Sequence, residues 1–461
     1  MTSLGEELSS LVVGVAVITD PSAMEPYRRD RANDPDAGVP LAVVFPESTE
    51  DVRAVMRWAS ERGVPVTPRG AGTGLSGGAT AVERGIVLST ERMRAMRVDE
   101  VTRTAVVQPG LLNSEVKAAA AAHSLWYPPD PASSEICTIG GNAATNAGGL
   151  CCVKYGVTTD YVLGAEVVLA DGRAIRLGGP RLKDVAGLSM LKLFVGSEGT
   201  LGIITELTLR LLPSPPPART VVGWFASTEG AASAASEIAS RIRPSMLEYM
   251  DRTSVNAVED VLGAGLHRDA AALIVARSDD RHPDGAEAAV MLEAFARHGA
   301  FEAFEAADAE EGERFAHARR IAIPAVENLG ALLLEDVGVA LPRLPELVAG
   351  VEEIAGARDV TIAFIAHAGD GNTHPLIVYD PGDPHLTERA LLAYGEVMDL
   401  AIRLGGTITG EHGVGRLKRP WLVEQVGADV LDVSQRVKNA LDPNGILNPG
   451  VIFAAGGHRL P

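Results

Sequence analysis

The sequence is short of cysteine, of long apolar runs, of aromatic residues and of positive charge, and each shortage removes a class of protein. Only three cysteines occur in 461 residues. Cys151 and Cys152 are adjacent, so no ordinary disulfide framework can form. No C-x-x-C run exists, which removes the usual ligand set of an iron–sulfur cluster or structural zinc. A reducing compartment is expected. No stretch approaches the roughly 18 apolar residues of a membrane-spanning helix. The apolar run from Leu11 to Ile18 has no basic segment ahead of it and is too short for a signal peptide. The reading is therefore a cytoplasmic protein. Against 60 acidic residues stand 41 basic ones, a net charge of −19, which repels nucleic-acid phosphates and anionic bilayers alike. An anionic substrate would need a local positive centre, either a metal ion or a buried arginine.

What is present is a globular composition: 46% apolar residues with only 4% aromatics, so the cores rest on Val, Ile, Leu and Ala. The length predicts two or three domains, with two as the working number. From Leu41 strands and helices alternate. LAVVF (41–45) is β-rich, Ser48 with Asp51 spells a capping box, and Val52, Val55, Met56 and Ala59 repeat at helical spacing up to Gly63. Short strands follow at 64–67, 86–89 and 104–108, a helix at 111–123, and a hairpin of 161–170 with 173–177 about Asp171-Gly172. The proline cluster at 213–217 marks a domain boundary after the strand 202–212. Beyond it, strands near 220–226, 271–277, 331–339 and 360–367 alternate with helices near 228–242, 284–298, 308–328 and 342–356, predicting an α+β domain with an antiparallel sheet. From Glu411 the text is mostly helical and ends in DPNGILNPG.

PRGAGTGLSGG (68–78) is the loudest local signal, since closely spaced glycines let backbone N–H groups converge on a bulky anion such as a pyrophosphate. Gly72, Gly74 and Gly77 spell G-x-G-x-x-G, but the loop runs into a turn and strand rather than a helix, which rejects the Rossmann fingerprint. A flexible surface loop is the plain alternative. PPDPASSEICTIGGNAATNAGG (128–149) and VGSEGTLGIITELTLRL (195–211) repeat the combination of glycine with Ser, Thr and Asn that a backbone-held nucleotide cofactor needs.

In this order and spacing the three blocks resemble the FAD-binding domain of the vanillyl-alcohol oxidase and p-cresol methylhydroxylase flavoproteins. The nearest branch is that of D-lactate dehydrogenases, the glycolate oxidase large subunit and D-2-hydroxyglutarate dehydrogenases. The resemblance runs from about Val39 to the C-terminus and implies an α+β fold: a two-part FAD-binding domain over residues 1–212, a substrate domain over 213–410, and a segment 411–461 returning to the FAD domain. It implies that Arg69, Gly70, Ala71, Gly72, Thr73, Gly74 and Ser76 surround the FAD pyrophosphate. From the second block it brings Pro129, Ser133, Gly140, Gly141, Asn142, Asn146 and Gly148 to the cofactor, and from the third Glu198, Gly199 and Ile204, with Asn448 near the flavin ring. Relatives that attach FAD covalently use a histidine where this chain has Thr73, so non-covalent FAD is implied.

HAGDGNTH (367–374) offers two imidazoles on either side of a turn, and Glu411-His412 follows in TGEHGVG. Two histidines and a carboxylate suit a divalent cation such as Zn²⁺ with open positions, although any one of them alone reads as a surface or core histidine. His282, His298 and His458 are read as surface residues. The resemblance makes His367, His374 and Glu411 metal ligands and His412 the catalytic base. In FAHARRIAIPAV (315–326) it makes Arg319 the anchor of the substrate carboxylate, against the plain reading of Arg319 and Arg320 as a solvated helix face. Asn372 is a further substrate contact. The lysine that grips a second carboxylate in hydroxyglutarate enzymes falls on Leu334, which favours D-lactate or glycolate.

The expected reaction is metal-assisted proton abstraction with hydride transfer to flavin N5, the electrons passing to an external acceptor: a quinone, cytochrome, electron-transfer flavoprotein, dye or O₂. A homodimer, and a peripheral membrane position through the acceptor, are compatible with this reading. Rival readings are a metallohydrolase, a non-catalytic flavin subunit of an electron-transfer complex, and a D-2-hydroxyglutarate dehydrogenase.

Overall fold

The computed structural model describes residues 7–8, 14–280 and 285–454, so residues 11–13 of the N-terminal apolar run, His282 and His458 lie outside the described residues. Two compact units are formed: one from residues up to Ala147, Val157–Ser214 and residues from Glu411 onward, the other from Gly148–Gly156 and Pro215–Gly410.

The first unit begins with a four-stranded sheet in the order Ala16–Ile18, Ala42–Phe45, Ile86–Ser89, Val66–Arg69. Its last three strands are parallel, and both Ala42–Phe45 and Ile86–Ser89 are buried throughout, as strands covered on both faces must be. The helix Thr49–Arg62 covers this sheet with Val52, Val55, Met56 and Ala59. Ser48 and Asp51 cap its start reciprocally, and Gly63 ends it at φ 63°, a left-handed turn that a side chain would strain. An antiparallel five-stranded sheet follows, in the order Met96–Asp99, Thr104–Val107, Ile203–Arg210, Val162–Val168, Ala174–Gly178. Its hairpin closes through Gly172 at φ 80°.

The second unit is built on an antiparallel sheet ordered Ala300–Glu305, Arg219–Phe225, Ala272–Ser278, Met246–Asp251, Thr361–His367, Asn372–Tyr379, Ala331–Leu334, with Val337–Gly338 also paired to Asn372–Tyr379. Val222, Trp224, Met250, Leu273, Val275, Ile365 and Leu376 form its core with Val255, Val258, Ala318 and Val326 from the helices. Three departures from expectation have local causes. The strands Met246–Asp251 and Ala300–Glu305 were not expected, nor were the helices Arg252–Leu262 and Pro384–Arg403. The helix expected over 308–328 breaks into Ala309–Arg320 and Ala322–Glu327, because Pro324 has no N–H to offer the Arg320 carbonyl. Gly148, drawn into the FAD domain by the sequence, belongs to the second unit with Gly148–Gly156. That segment is tied there by Lys154 Nζ and Tyr155 Oη, which both bond Asp279.

Candidate functional site

In the second unit the turn between Thr361–His367 and Asn372–Tyr379 brings the two imidazoles together. The register pairs His367 with Asn372 and Ile365 with His374, so the two histidines are diagonal neighbours on one face of the sheet. Their ring centroids lie 5.2 Å apart at 89°. Two imidazoles on a tetrahedral Zn²⁺, with Zn–N near 2.05 Å and ring nitrogens about 1.1 Å off centre, place centroids about 5 Å apart. The centroid separation alone is of the size that two imidazoles on one cation would show.

The strand Met246–Asp251 lies beside this hairpin, and its register, Tyr249↔Ala366 and Met250↔Ile365, continues to set Glu248 next to His367. His367 Nδ1 is 2.8 and 3.0 Å from the two Glu248 oxygens. The same carboxylate faces Arg319, whose Nε is 2.8 Å from Oε2. Arg319 is 1% exposed, so the solvated-face reading is wrong for it and right only for half-buried Arg320, which pairs with Glu313. The Arg319 Nε is close to Glu248 but poorly aligned on it, and Nε and Nη2 are buried without a hydrogen-bond partner among the described residues. A buried guanidinium with unused donors could accept an anionic group.

Asp336, fully buried, organises the other side of the histidine pair. It accepts from Asn372 Nδ2 at 3.1 Å, Thr409 Oγ1 at 2.7 Å and Gly410 N at 3.0 Å, and its Oδ1 lies 3.8 Å from His374 Nδ1. A Cβ at position 410 would meet Asn372 Oδ1 at 2.1 Å, so the approach requires glycine. Asn372 itself keeps a buried Oδ1 without a hydrogen-bond partner among the described residues. Leu334 packs against the apolar core of this unit. Neither Glu248 nor Asp336 was found from the sequence. Glu248 sits in an apolar strand text that carries no motif, and the one available signal for Asp336 was the doublet Glu335-Asp336 beside Leu334.

In the first unit the first and third glycine-bearing blocks are stapled to the 411–417 segment and to Asn448, and the second is tied to the third by Gly196 N and Glu198 N, which donate to the Ala143 and Ala144 carbonyls. Ser76 Oγ donates to the His412 carbonyl at 3.3 Å, while its own carbonyl accepts from Arg416 and Leu417. The Glu198 oxygens accept from Val414 N and Gly415 N, both at 2.8 Å. Burial pushes the Glu198 carboxyl up to about 7, against the lowering effect of these two N–H groups. Asn448 Nδ2 donates to the carbonyls of Gly78 and Glu198 at 2.8 and 2.7 Å. The Glu411 and His412 side chains are largely covered, with Oε1 and Nε2 3.6 Å apart.

Several residues that the resemblance brings to the cofactor have side chains engaged with protein. Arg69 donates to the carbonyls of Arg29 and Pro26 at 3.0 and 3.2 Å and lies against Gly72, where a Cβ would strike its guanidinium; it shapes the loop from beneath. Asn142 Oδ1 accepts from Asn113, which also donates to the Pro129 carbonyl. Asn146 Oδ1 accepts from Thr159 N, and Ser133 offers its carbonyl to Ile136 and Cys137. Gly70 approaches Thr138 so closely that a Cβ would lie 2.2 Å from its hydroxyl; Gly140 does the same against Pro109, and Gly199 against Pro68. Gly141 N is bonded to Thr138 Oγ1. Ala71, Thr73 and Gly74 stay at least partly exposed, whereas Ile204 is buried in its strand. The surface left to a ligand is therefore mostly backbone, and Asn448 Oδ1 adds a buried acceptor without a hydrogen-bond partner among the described residues. Such a lining suits a long nucleotide cofactor. Of the other histidines, His298 is half-buried and pairs with Glu237 at 2.9 Å.

Comparison with known proteins shows the family to which the chain belongs. Residues 40–178 match the model of an FAD binding domain, and residues 214–452 match that of the C-terminal domain of FAD linked oxidases. The chain is 41% identical to the glycolate oxidase subunit GlcD of Bacillus subtilis, over 90% of this chain and 89% of that protein. It is 36% identical to a D-lactate dehydrogenase of Archaeoglobus fulgidus, over 91% and 92%, and 33% identical to a D-2-hydroxyglutarate dehydrogenase of Xanthomonas citri, over 97% and 96%. Among solved structures, p-cresol methylhydroxylase superposes with a TM-score of 0.78 at 18% identity, covering 95% of this chain and 94% of that one, a likeness of fold.

Proposed function

Because the chain belongs to the FAD-linked oxidases, we propose that it oxidises a small D-2-hydroxy acid, D-lactate or glycolate first among them, to the 2-keto acid. The names of its relatives share the oxidation of a hydroxy acid, and the matched family models supply the FAD. The observation that carries the reading is the buried Arg319 guanidinium, joined through Glu248 to a pair of imidazoles spaced for one cation.

Arg319 binds the substrate carboxylate through donors that the protein leaves unused. His367, His374 and Glu411 would hold a divalent cation such as Zn²⁺. That cation supplies a lowered pKa for the substrate hydroxyl. His412 accepts the hydroxyl proton, and Asn372 orients the bound acid by a hydrogen bond. Non-covalent FAD supplies the hydride acceptor at N5. Leu334 offers an apolar wall where a second carboxylate would need a cation, which favours a short side chain. The acceptor of the electrons is external: a quinone, cytochrome, electron-transfer flavoprotein or O₂. Among the described residues no helix is long and apolar enough to cross a membrane.

The test is anaerobic flavin bleaching by D- and L-lactate, glycolate, malate and D-2-hydroxyglutarate. D-lactate or glycolate is expected to bleach the wild-type protein fastest and to leave His412→Ala oxidised. Faster bleaching by D-2-hydroxyglutarate would refute the assignment of substrate size, and a colourless protein would refute the flavin reading.

A further inference from the structure

We propose that Glu248 is a positioning residue serving two groups at once, holding His367 in the tautomer that presents Nε2 to the cation and holding Arg319 in place for the substrate carboxylate. This rests on the proposed roles of His367 and Arg319. As an acceptor at 2.8 and 3.0 Å from Nδ1, the Glu248 carboxylate favours the proton on that nitrogen, and in the neutral imidazole this leaves Nε2 with its lone pair. A carboxylate behind a metal-binding imidazole also raises its basicity and fixes its ring plane.

The second function follows from charge. A dication and a guanidinium serving one small substrate repel each other in a water-poor site. Glu248 has one oxygen 2.8 Å from Arg319 Nε and both within reach of His367. It therefore offsets part of that repulsion and keeps the guanidinium in one orientation. All three side chains are almost completely buried, and the sheet register fixes the contact, because Glu248 and His367 face each other on neighbouring strands. Loss of Glu248 should weaken metal binding and substrate binding together, whereas loss of Arg319 should weaken substrate binding without weakening the metal's.

The experiment titrates Zn²⁺ into the FAD-loaded, metal-stripped protein against a chromophoric chelator, and measures KM and kcat for the acid that bleaches the flavin. Glu248→Gln is expected to lower Zn²⁺ affinity roughly 10–100-fold and to raise KM. Arg319→Gln should raise KM without lowering Zn²⁺ affinity, since it touches no ligand and removes a cation that repels the metal. Wild-type Zn²⁺ affinity in Glu248→Gln overturns the proposal while leaving the metal reading intact. Absence of Zn²⁺ binding by the wild-type protein overturns the metal reading and the proposal with it. Should Glu248→Gln lose its flavin, nitrogen-15 spectra of the histidines in metal-free wild type, recorded at a pH where the rings are neutral, decide the matter: His367 protonated on Nδ1 supports the assignment, and His367 protonated on Nε2 with Nδ1 bare overturns it.

Discussion

Replacing Glu198 by Gln should change how the stability of the first unit depends on pH. Glu198 is fully buried, and its carboxyl is pushed from 4.5 to about 7 by desolvation, the two N–H groups of Val414 and Gly415 offsetting only part of that. Between pH 4.5 and 7 the folded chain retains a proton that the unfolded chain has released, so this group's contribution to stability falls as pH rises through that window and is level on either side. A window of about 2.5 pH units, at about 1.36 kcal/mol each, gives on the order of 3 kcal/mol. The glutamine of the variant cannot ionise, so the variant escapes this loss but leaves one of the two N–H groups facing an amide donor, at a cost of about 1–3 kcal/mol that does not vary with pH. Urea-induced release of flavin, followed for both proteins at fixed FAD concentration, compares them with other titrations cancelling. The variant is expected to gain about 3 kcal/mol on wild type between pH 4.5 and 8. A gap constant to within about 0.5 kcal/mol across that range would refute the argument that Glu198 is held protonated near neutrality.

Further outcomes follow from the same geometry. Gly410→Ala puts a Cβ 2.1 Å from Asn372 Oδ1 and should lower stability by about 1–3 kcal/mol together with kcat/KM; an unchanged melting temperature would show that the loop yields freely. Lys438→Met strips the buried Asp442 of its cation and the carbonyls of Thr200 and Leu447 of their donor, an expected loss of about 3–5 kcal/mol by denaturant titration, with part recovered in Lys438→Met/Asp442→Asn. His374→Ala should bind no stoichiometric Zn²⁺ by elemental analysis yet keep its flavin, and chelator-treated wild type should turn over as slowly as this variant; full activity in either would remove the metal from the reaction.

Much of this was legible in the one-dimensional text because local physics wrote it there. The capping box of Ser48 and Asp51, the stop at Gly63 and the Asp171-Gly172 hairpin each depend on residues a few positions apart, and each formed where the spacing put it. The turn in HAGDGNTH likewise joins the two strands whose register sets His367 and His374 on one face. The strand Met246–Asp251 was missed because five of its six residues are buried, so it shows no alternation of polar and apolar positions, and a buried carboxylate in its middle reads as an interruption.

The sequence by itself therefore determined those elements whose signals are local, the turn between the two histidines and, through glycine density, the backbone-lined loops. Only the tertiary structure decided which carboxylates serve those histidines, that Arg319 is buried against Glu248, and that Glu198 and Ser76 hold the 411–417 segment. The reason is that charge compensation in a buried site is a matter of distance in space. Glu248 and His367 are 119 positions apart in the chain, and no periodicity records a partner that lies one strand away.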